Sequence, residues 1–581
     1  MSKYFNNALV GNSKILGCLN DKAEILRLYY PNIDYFQLIN FFNLGIYDSN
    51  KVYWFKDAEA VNQYYDGNIV YTELKVNDVS VTIRDYILPD KNIFVRALKF
   101  MKPSNLLVYS VLNSDANKKV SSMYADNTLI QYSQDMYMAT FSKKDVYRYQ
   151  INNVKDYIEK PSSFNGEDYI GMSEEAVISY EDVSEISLYI TLDSKLADCL
   201  KSVKWCKEQD ENMLCKSTKT YWEDYMKPFE KLDFLKSISK VNEREIIKRT
   251  IYMYKLLSND ETGAVLASPD VDENYTRCGR YGYCWPRDAL FINEALYILG
   301  MKDHLNKFYN VWAKRAQLSS GLFEQRYYAN GELAPSWGLQ IDETAAILIG
   351  ISRHVNYLFL EELILKSTVA LMNFIDDRGL SKSSYDLWEE RKGVHLYSTV
   401  SIYAALKASK DMLKVIDDIK YASLLERIDT KINEVRRGIN EYFVENGRLK
   451  RSLDDYKIDI SLLCVCVPFD VFDVNDDVVK NTVSEIERTL HMSNGGYMRY
   501  QWDNYIGGNT WIVSSLWLAM YYIKLGDLAK ARELFDWVTN HADSLYFLPE
   551  QIEREGNKTA WVTELSWSHA MYVIVRNMLF K

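Results

Sequence analysis

The chain has 581 residues, too many for a single compact core, and should divide into two to four domains. Apolar residues make up 48% and charged residues 26%, an ordinary globular composition that excludes a disordered or fibrous chain. A formal net charge of −11 weighs against nucleic acid or an anionic membrane as partner, because phosphate contacts need clustered Lys and Arg, and a neutral substrate suits it better.

The opening, MSKYFNNALVGNSKILGCLNDK, has no continuous apolar stretch of the kind a secretory signal needs, so a cytoplasmic protein is expected. From there to about residue 195 the chain reads as short strands between turn signals. Val79 to Ile83 alternates after Asn77-Asp78. Ile93 to Phe100 follows Pro89-Asp90, and Leu106 to Leu112 follows Pro103. Leu129 to Tyr132, Met136 to Phe141, Ala176 to Tyr180 and Ile186 to Leu192 complete the set. No helical period interrupts them, so residues 1–195 are expected to form an antiparallel β-sandwich.

Residues 196–236 turn polar, Lys-rich and helical in period, and are expected to link this domain to the next. Residues 237–581 then read as helix after helix, with apolar residues at i, i+3, i+4 spacing over 242–257, 288–299, 304–317, 342–354, 357–375, 395–413, 420–443, 474–491, 510–524, 527–541 and 563–579. Trp511 to Tyr522 is almost wholly apolar, whereas Leu528 to Val538 carries charge on one face. Such a pair fits an inner and an outer helix, and about six pairs would close a double-layered barrel. The longest uncharged run, Ile506 to Ile523, is apolar over only about thirteen residues, short of the roughly 20 that a membrane span needs.

Eight cysteines, at positions 18, 199, 206, 215, 278, 284, 464 and 466, include no CxxC pair and are expected to be reduced and buried. The six histidines are scattered singly, so neither a metal site nor a cofactor is expected. The 45 Tyr, 13 Trp and 22 Phe are open to two readings. They are core filling, or they supply faces on which sugar rings stack.

The stretches between helices favour the second. RYGYCWPRDALF (Arg280 to Phe291), LAPSWGLQIDE (Leu333 to Glu343), SYDLWEERKG (Ser384 to Gly393), GGYMRYQWDNYIGGNTW (Gly495 to Trp511), LPEQ (Leu548 to Gln551) and LSWSHA (Leu565 to Ala570) mostly combine an indole with a carboxylate or guanidinium. Trp285, Trp337, Trp388 and Trp502 fall in successive loops. Glycosidic hydrolysis needs one carboxylic acid to protonate the leaving oxygen and one carboxylate opposite it. Glu389, beside Trp388, can be such an acid, since desolvation raises a carboxyl pKa, or a solvated loop charge. Glu550, after Pro549, is the natural partner, with the same plain alternative. Arg287 and Asp288 read either as first-turn helix charges or as a fork and an acceptor for vicinal sugar hydroxyls.

These loops resemble those of glycoside hydrolase family 15, the glucoamylase-like enzymes, in their prokaryotic branch. The similarity extends to the opening ALVGNSKILGCLND and LYYPNIDYF. The resemblance implies an N-terminal antiparallel super-β-sandwich followed by an (α/α)6 barrel, and an inverting enzyme that releases β-glucose from non-reducing ends. It implies that Glu389 is the general acid and Glu550 the general base. Arg287, Asp288 and Trp285 would hold the terminal glucose. Tyr281 (or Tyr283) would position the water, Trp337, Trp388 and Trp511 would line the pocket, and Glu390 and Arg499 would bind substrate. An exo-acting α-1,4-glucosidase on soluble malto-oligosaccharides is expected, because neither a starch-binding domain nor a leader is seen. The alternatives are an α,α-trehalase or an isomaltose or dextran glucohydrolase. More distant are an inverting phosphorylase, against which a base at Glu550 and the lack of a basic anion cradle weigh, and a carbohydrate-binding protein without chemistry. Oligomeric state is not specified by the sequence.

Overall fold

A computed structural model describes residues 6–49, 51–113, 119–159, 169–270 and 280–581. The chain forms two compact units, residues 1–230 with 255–257, and residues 231–254 with 258–581.

The first unit is built on antiparallel sheet, one of four strands and one of twelve. Segments expected as separate strands at 93–100 and 106–112 are a single strand, Ile93–Leu112, and those at 176–180 and 186–192 are a single strand, Glu175–Asp193. The two pair with each other, and their register slips between Lys99 and Leu106, around Pro103. Proline cannot donate to a ladder, so the irregularity falls there. Before it, Ile93–Leu112 pairs with Val79–Ile87; after it, with Ile39–Tyr47. One strand thus serves two neighbours and folds the sheet toward a sandwich.

The segment expected as a linker forms helices Leu196–Glu208 and Glu211–Glu230. Cys199, Val203, Cys206, Leu214 and Cys215 pack into one apolar cluster with Ile69, Tyr86, Phe141 and Tyr189 of the sheet. Cys199, Val203 and Cys206 lie at i, i+4, i+7 on one face of the first helix, and Leu214 and Cys215 open the buried face of the second. The seven described cysteines are buried free thiols, and Cys278 lies outside the described residues.

In the second unit six helical elements form a closed ring. Pro286–Ile298 contacts Ile341–His354, which contacts Leu396–Asp417, and the series continues through Ile460–Val465, Ile512–Leu525 and Ser566–Leu579 back to Pro286–Ile298. Outer helices such as Glu361–Asn373, Ala422–Tyr442, Asp477–Leu490 and Leu528–Asn540 alternate with them in sequence. Composition follows position. Residues 512 to 522 are all buried, whereas Leu528–Asn540 buries only Ala531, Leu534, Phe535, Val538 and Thr539. Between these two helices Gly526 adopts φ 89° and Asp527 accepts a hydrogen bond from the Lys530 N–H at 3.1 Å. A left-handed glycine ends one helix and an aspartate caps the next, so the reversal needs only two residues.

The fourth inner position is a six-residue 3-10 turn, not an α-helix, which is why the helical period shows eleven segments rather than twelve. Its N-cap Asp459 accepts from the Ser461 N–H at 2.8 Å. Among the described residues no helix is long and apolar enough to cross a membrane.

Within the sandwich Arg96 donates to both carboxylate oxygens of Asp85, at 2.7 and 2.9 Å, with both side chains at most 1% exposed. Asp85→Ala leaves a buried guanidinium without its counter-ion. It is expected to cost about 3–5 kcal/mol, read as an earlier first transition in denaturant unfolding of the full chain.

Candidate active site

The loops that precede the inner helices converge at one end of the ring, where the helix N-termini lie. Trp285, Gln340, His395, Asp459, Trp511 and Leu565 are the N-cap residues of the six inner elements. A cavity of about 240 Å³ opens among these loops. The eleven residues to which the resemblance gives a catalytic or substrate-binding role line it: Tyr281, Trp285, Arg287, Asp288, Trp337, Trp388, Glu389, Glu390, Arg499, Trp511 and Glu550. Trp502, in the same run of loops, does not; it is 73% exposed and has a φ of 67°, although Arg499 and Asp503 beside it are buried.

Local hydrogen bonding shapes the DLWEE loop. It is the tip of a two-strand ladder pairing Ser384–Tyr385 with Lys392–Gly393. Asp386 accepts from the backbone N–H groups of Glu390 and Arg391, at 2.8 and 3.1 Å, and from the Arg391 guanidinium at 2.9 Å. This aspartate turn carries Glu389 at φ 66°, a conformation that side chains other than glycine, asparagine and aspartate rarely adopt.

Glu389 accepts from Gln325 Nε2 at 2.7 Å and from Arg287 Nη2 at 3.3 Å, and its carbonyl accepts from the Trp337 indole at 3.1 Å. Its side chain keeps 19% of its surface open to the cavity. Burial raises its pKa, opposed by the charges of Arg287 and Arg326. Arg287 is buried among four carboxylates, with Glu343 at 3.1 Å, Asp342 at 3.2 Å, Glu389 at 3.3 Å and Asp288 at 3.7 Å. One cation cannot neutralise four anions, and burial pushes Glu343 well above its usual value and Asp288 up to about 7, against the pull of the Arg287 charge.

Glu550 is 4% exposed. Its Oε1 accepts from the Tyr281 hydroxyl at 2.9 Å and its Oε2 from Gln551 Nε2 at 2.8 Å. Burial pushes it up to about 7 against these donors and the Arg499 charge. Tyr281, not Tyr283, is the tyrosine that touches it; Tyr283 packs against Trp285 and Tyr328.

Glu390 accepts from Arg499 at 2.8 Å, Arg391 at 2.8 Å and the Tyr500 hydroxyl at 2.5 Å. Arg499 is clamped by Asp503 at 2.8 and 2.9 Å and lies 4.4 Å from the Trp511 ring. Trp388 meets Trp511 edge-on at 5.8 Å and donates to Asp459 at 3.0 Å. The apolar walls and fixed polar groups together suit a ring with an apolar face and peripheral hydroxyls.

Sequence reasoning missed Ala267, Arg280, Arg326, Leu387, Tyr505, Leu565 and Trp567, which also line the cavity. Most sit inside motifs already singled out. Arg326 does not; its guanidinium stacks 4.6 Å from Trp337 and donates to the carbonyls of Pro335 and Arg280, at 2.7 and 3.1 Å. Arg280 and Arg326 thus join the expected Arg287 and Arg499 in the cavity lining. Among the described residues no group of three or more His, Cys, Asp or Glu side chains could hold a metal ion.

A helical barrel whose cavity gathers paired carboxylates, guanidiniums and indoles defines a carbohydrate-processing enzyme of the sandwich-plus-barrel type. The sequence model of glycosyl hydrolases family 15 matches residues 241–577, and the chain belongs to that family. It is 27% identical over 621 residues to an uncharacterized glycosyl hydrolase of Methanocaldococcus jannaschii, with 98% of each chain covered. It is 25% identical over 358 residues to an isomaltose glucohydrolase of Kribbella flavida, covering 55% of this chain and 89% of that one. A bacterial glucoamylase solved with acarbose has the same fold, with a TM-score of 0.85 at 17% identity over 100% of this chain and 95% of that one.

Tyr281→Phe removes one of the donors that favour ionised Glu550. A hydrogen bond to a charged group is worth about 1.5 kcal/mol, or about one pH unit. The Glu550 carboxyl should therefore titrate higher by that amount in Tyr281→Phe, measured by carboxyl carbon NMR across pH.

Proposed function

We propose that the protein is an inverting, exo-acting α-glucosidase that removes terminal α-1,4-linked glucose from the non-reducing ends of soluble malto-oligosaccharides and releases β-glucose. The observation that carries this reading is that Glu389 and Glu550, far apart in sequence, open into one cavity together with Arg287 and Asp288. Glu389 gives its proton to the glycosidic oxygen as the C1–O bond breaks. Glu550 takes a proton from a water whose oxygen bonds to C1 on the opposite face. Arg287 and Asp288 bind the terminal sugar's hydroxyls, and the ion-paired Glu390 and Arg499 face the next ring.

The two carboxyls are held differently, which suits two roles. Glu389 is braced by Gln325 and Arg287 and faces Trp337, whereas Glu550 has a hydroxyl and an amide as donors. A second reading, hydrolysis of α-1,6 links, is favoured by the similarity to the isomaltose glucohydrolase.

Glu389→Gln and Glu550→Gln should each lower kcat by at least about 10²–10⁴-fold while sugar binding persists; near-normal turnover of either would reject that assignment. A panel of α-1,1, α-1,3, α-1,4 and α-1,6 glucose disaccharides, followed by NMR, should show β-glucose forming first and fastest from maltose. α-Glucose as first product would exclude inversion.

The base must be ionised, and burial pushes Glu550 up to about 7. Rates should therefore fall as pH drops through that value, placing the acid limb of kcat/KM within about one unit of 7. A profile flat from pH 5 to 8 would contradict this.

A further inference from the structure

We propose that His569, held by Thr250, is a positioning residue for Glu550. The inference rests on the reading of Glu550 as the general base, and on one buried hydrogen-bond chain. His569 is fully buried in the first turn of the helix Ser566–Leu579. Its Nε2 lies 2.9 Å from the backbone nitrogen of Leu548, two residues before Glu550, and its Nδ1 lies 2.7 Å from Thr250 Oγ1. The Thr250 hydroxyl donates to the Ile246 carbonyl at 2.8 Å.

These contacts fix the ring's protonation without any further assumption. Thr250 has one hydroxyl proton, and it is given to Ile246, so toward the histidine its oxygen accepts. Nδ1 must then carry a hydrogen. Leu548 presents an N–H, so Nε2 must accept with its lone pair. The ring is a neutral Nδ1–H tautomer that receives on one side and gives on the other. Arg249 is the charged group that acts on it, and burial together with that charge pushes its pKa down to about 3.

The neighbouring residue completes the clamp. Ser568 Oγ donates to the Pro549 carbonyl at 2.9 Å, and the Leu565 N–H donates to the Leu548 carbonyl at 3.2 Å. Glu550 itself donates to Val562 through its backbone N–H at 2.9 Å and accepts from the Ile512 N–H at 3.1 Å. Pro549 adds a fixed φ and no donor of its own. One helical turn thus does two things. Trp567 reaches the cavity wall, while Ser568 and His569 set the path of the chain that presents the carboxylate. A buried histidine elsewhere would be a satisfied core residue; here the N–H it accepts lies two residues from the group that must meet the water, where a shift of about 1 Å costs about 10²-fold in rate.

The test uses the full chain and three variants, with rates expressed per folded molecule. His569→Phe keeps volume and removes the acceptor; kcat on maltotriose is expected to fall about 10- to 100-fold with KM little changed. His569→Gln can still accept from Leu548 through its amide oxygen and should recover most of that loss. Thr250→Val leaves the imidazole but removes the acceptor that anchors its Nδ1–H, and should lower kcat by about five-fold, the worth of one hydrogen bond. α-Glucosyl fluoride separates the two sides of the reaction, because its leaving group needs little help from an acid. The His569→Phe deficit should persist on it.

Wild-type kcat in His569→Phe, a deficit that disappears with the fluoride, or failure of Gln to do better than Phe would overturn the proposal. If Phe does not fold, the Gln and Val variants carry the test, and unchanged kcat in Val rejects the role. Glu550→Gln run alongside distinguishes the failures: if it retains turnover the base assignment falls, and if it is inactive while His569→Phe is normal, only the positioning role does.

Discussion

The site is organised by a single guanidinium. Arg287 sits within 3.7 Å of carboxylates from its own helix start, from the start of Ile341–His354, and from the hairpin that carries Glu389. Three segments that are distant in sequence are thereby tied to one planar group. Burial makes the charge costly to leave unpaired, so the three cannot drift apart without exposing it. Lysine would supply the charge but not the fork, and the geometry depends on the fork. A second guanidinium, Arg499, repeats the arrangement on another wall, between Asp503 and Glu390.

Much of this was legible in the sequence, for identifiable reasons. Inner helices such as Ile512–Leu525 are apolar on all sides and outer ones such as Leu528–Asn540 on one, and that contrast survives in a plain reading of the residues. The loops are legible because indoles and charges recur together in most of them. What failed was short or bent structure. Ile460–Val465 is too short for a helical period to register, and Pro103, in the irregular stretch of Ile93–Leu112, makes one strand look like two in the sequence.

Direction was also invisible. Trp502 and Trp511 stand in one motif, yet one is 73% exposed and the other 4%. Trp502 also has a left-handed φ, and composition carries no record of such an angle. Arg326 was missed for the opposite reason, since the FEQRYY stretch around it lacks the pairing of indole and carboxylate that marked the other loops. The hydroxyl of Tyr281 reached Glu550 while that of Tyr283 did not, a choice made by two residues of backbone path.

Because the ring is circular in contact, its earliest and latest inner helices, Pro286–Ile298 and Ser566–Leu579, are immediate neighbours. Such a seam joins parts of the polypeptide separated by most of the domain, and long-range closure of this kind is slow compared with the making of local helix pairs. The sugar-sized hollow has no complete wall until the seam shuts. Binding competence therefore depends on contacts between the two ends of the ring and not on any one helix pair alone.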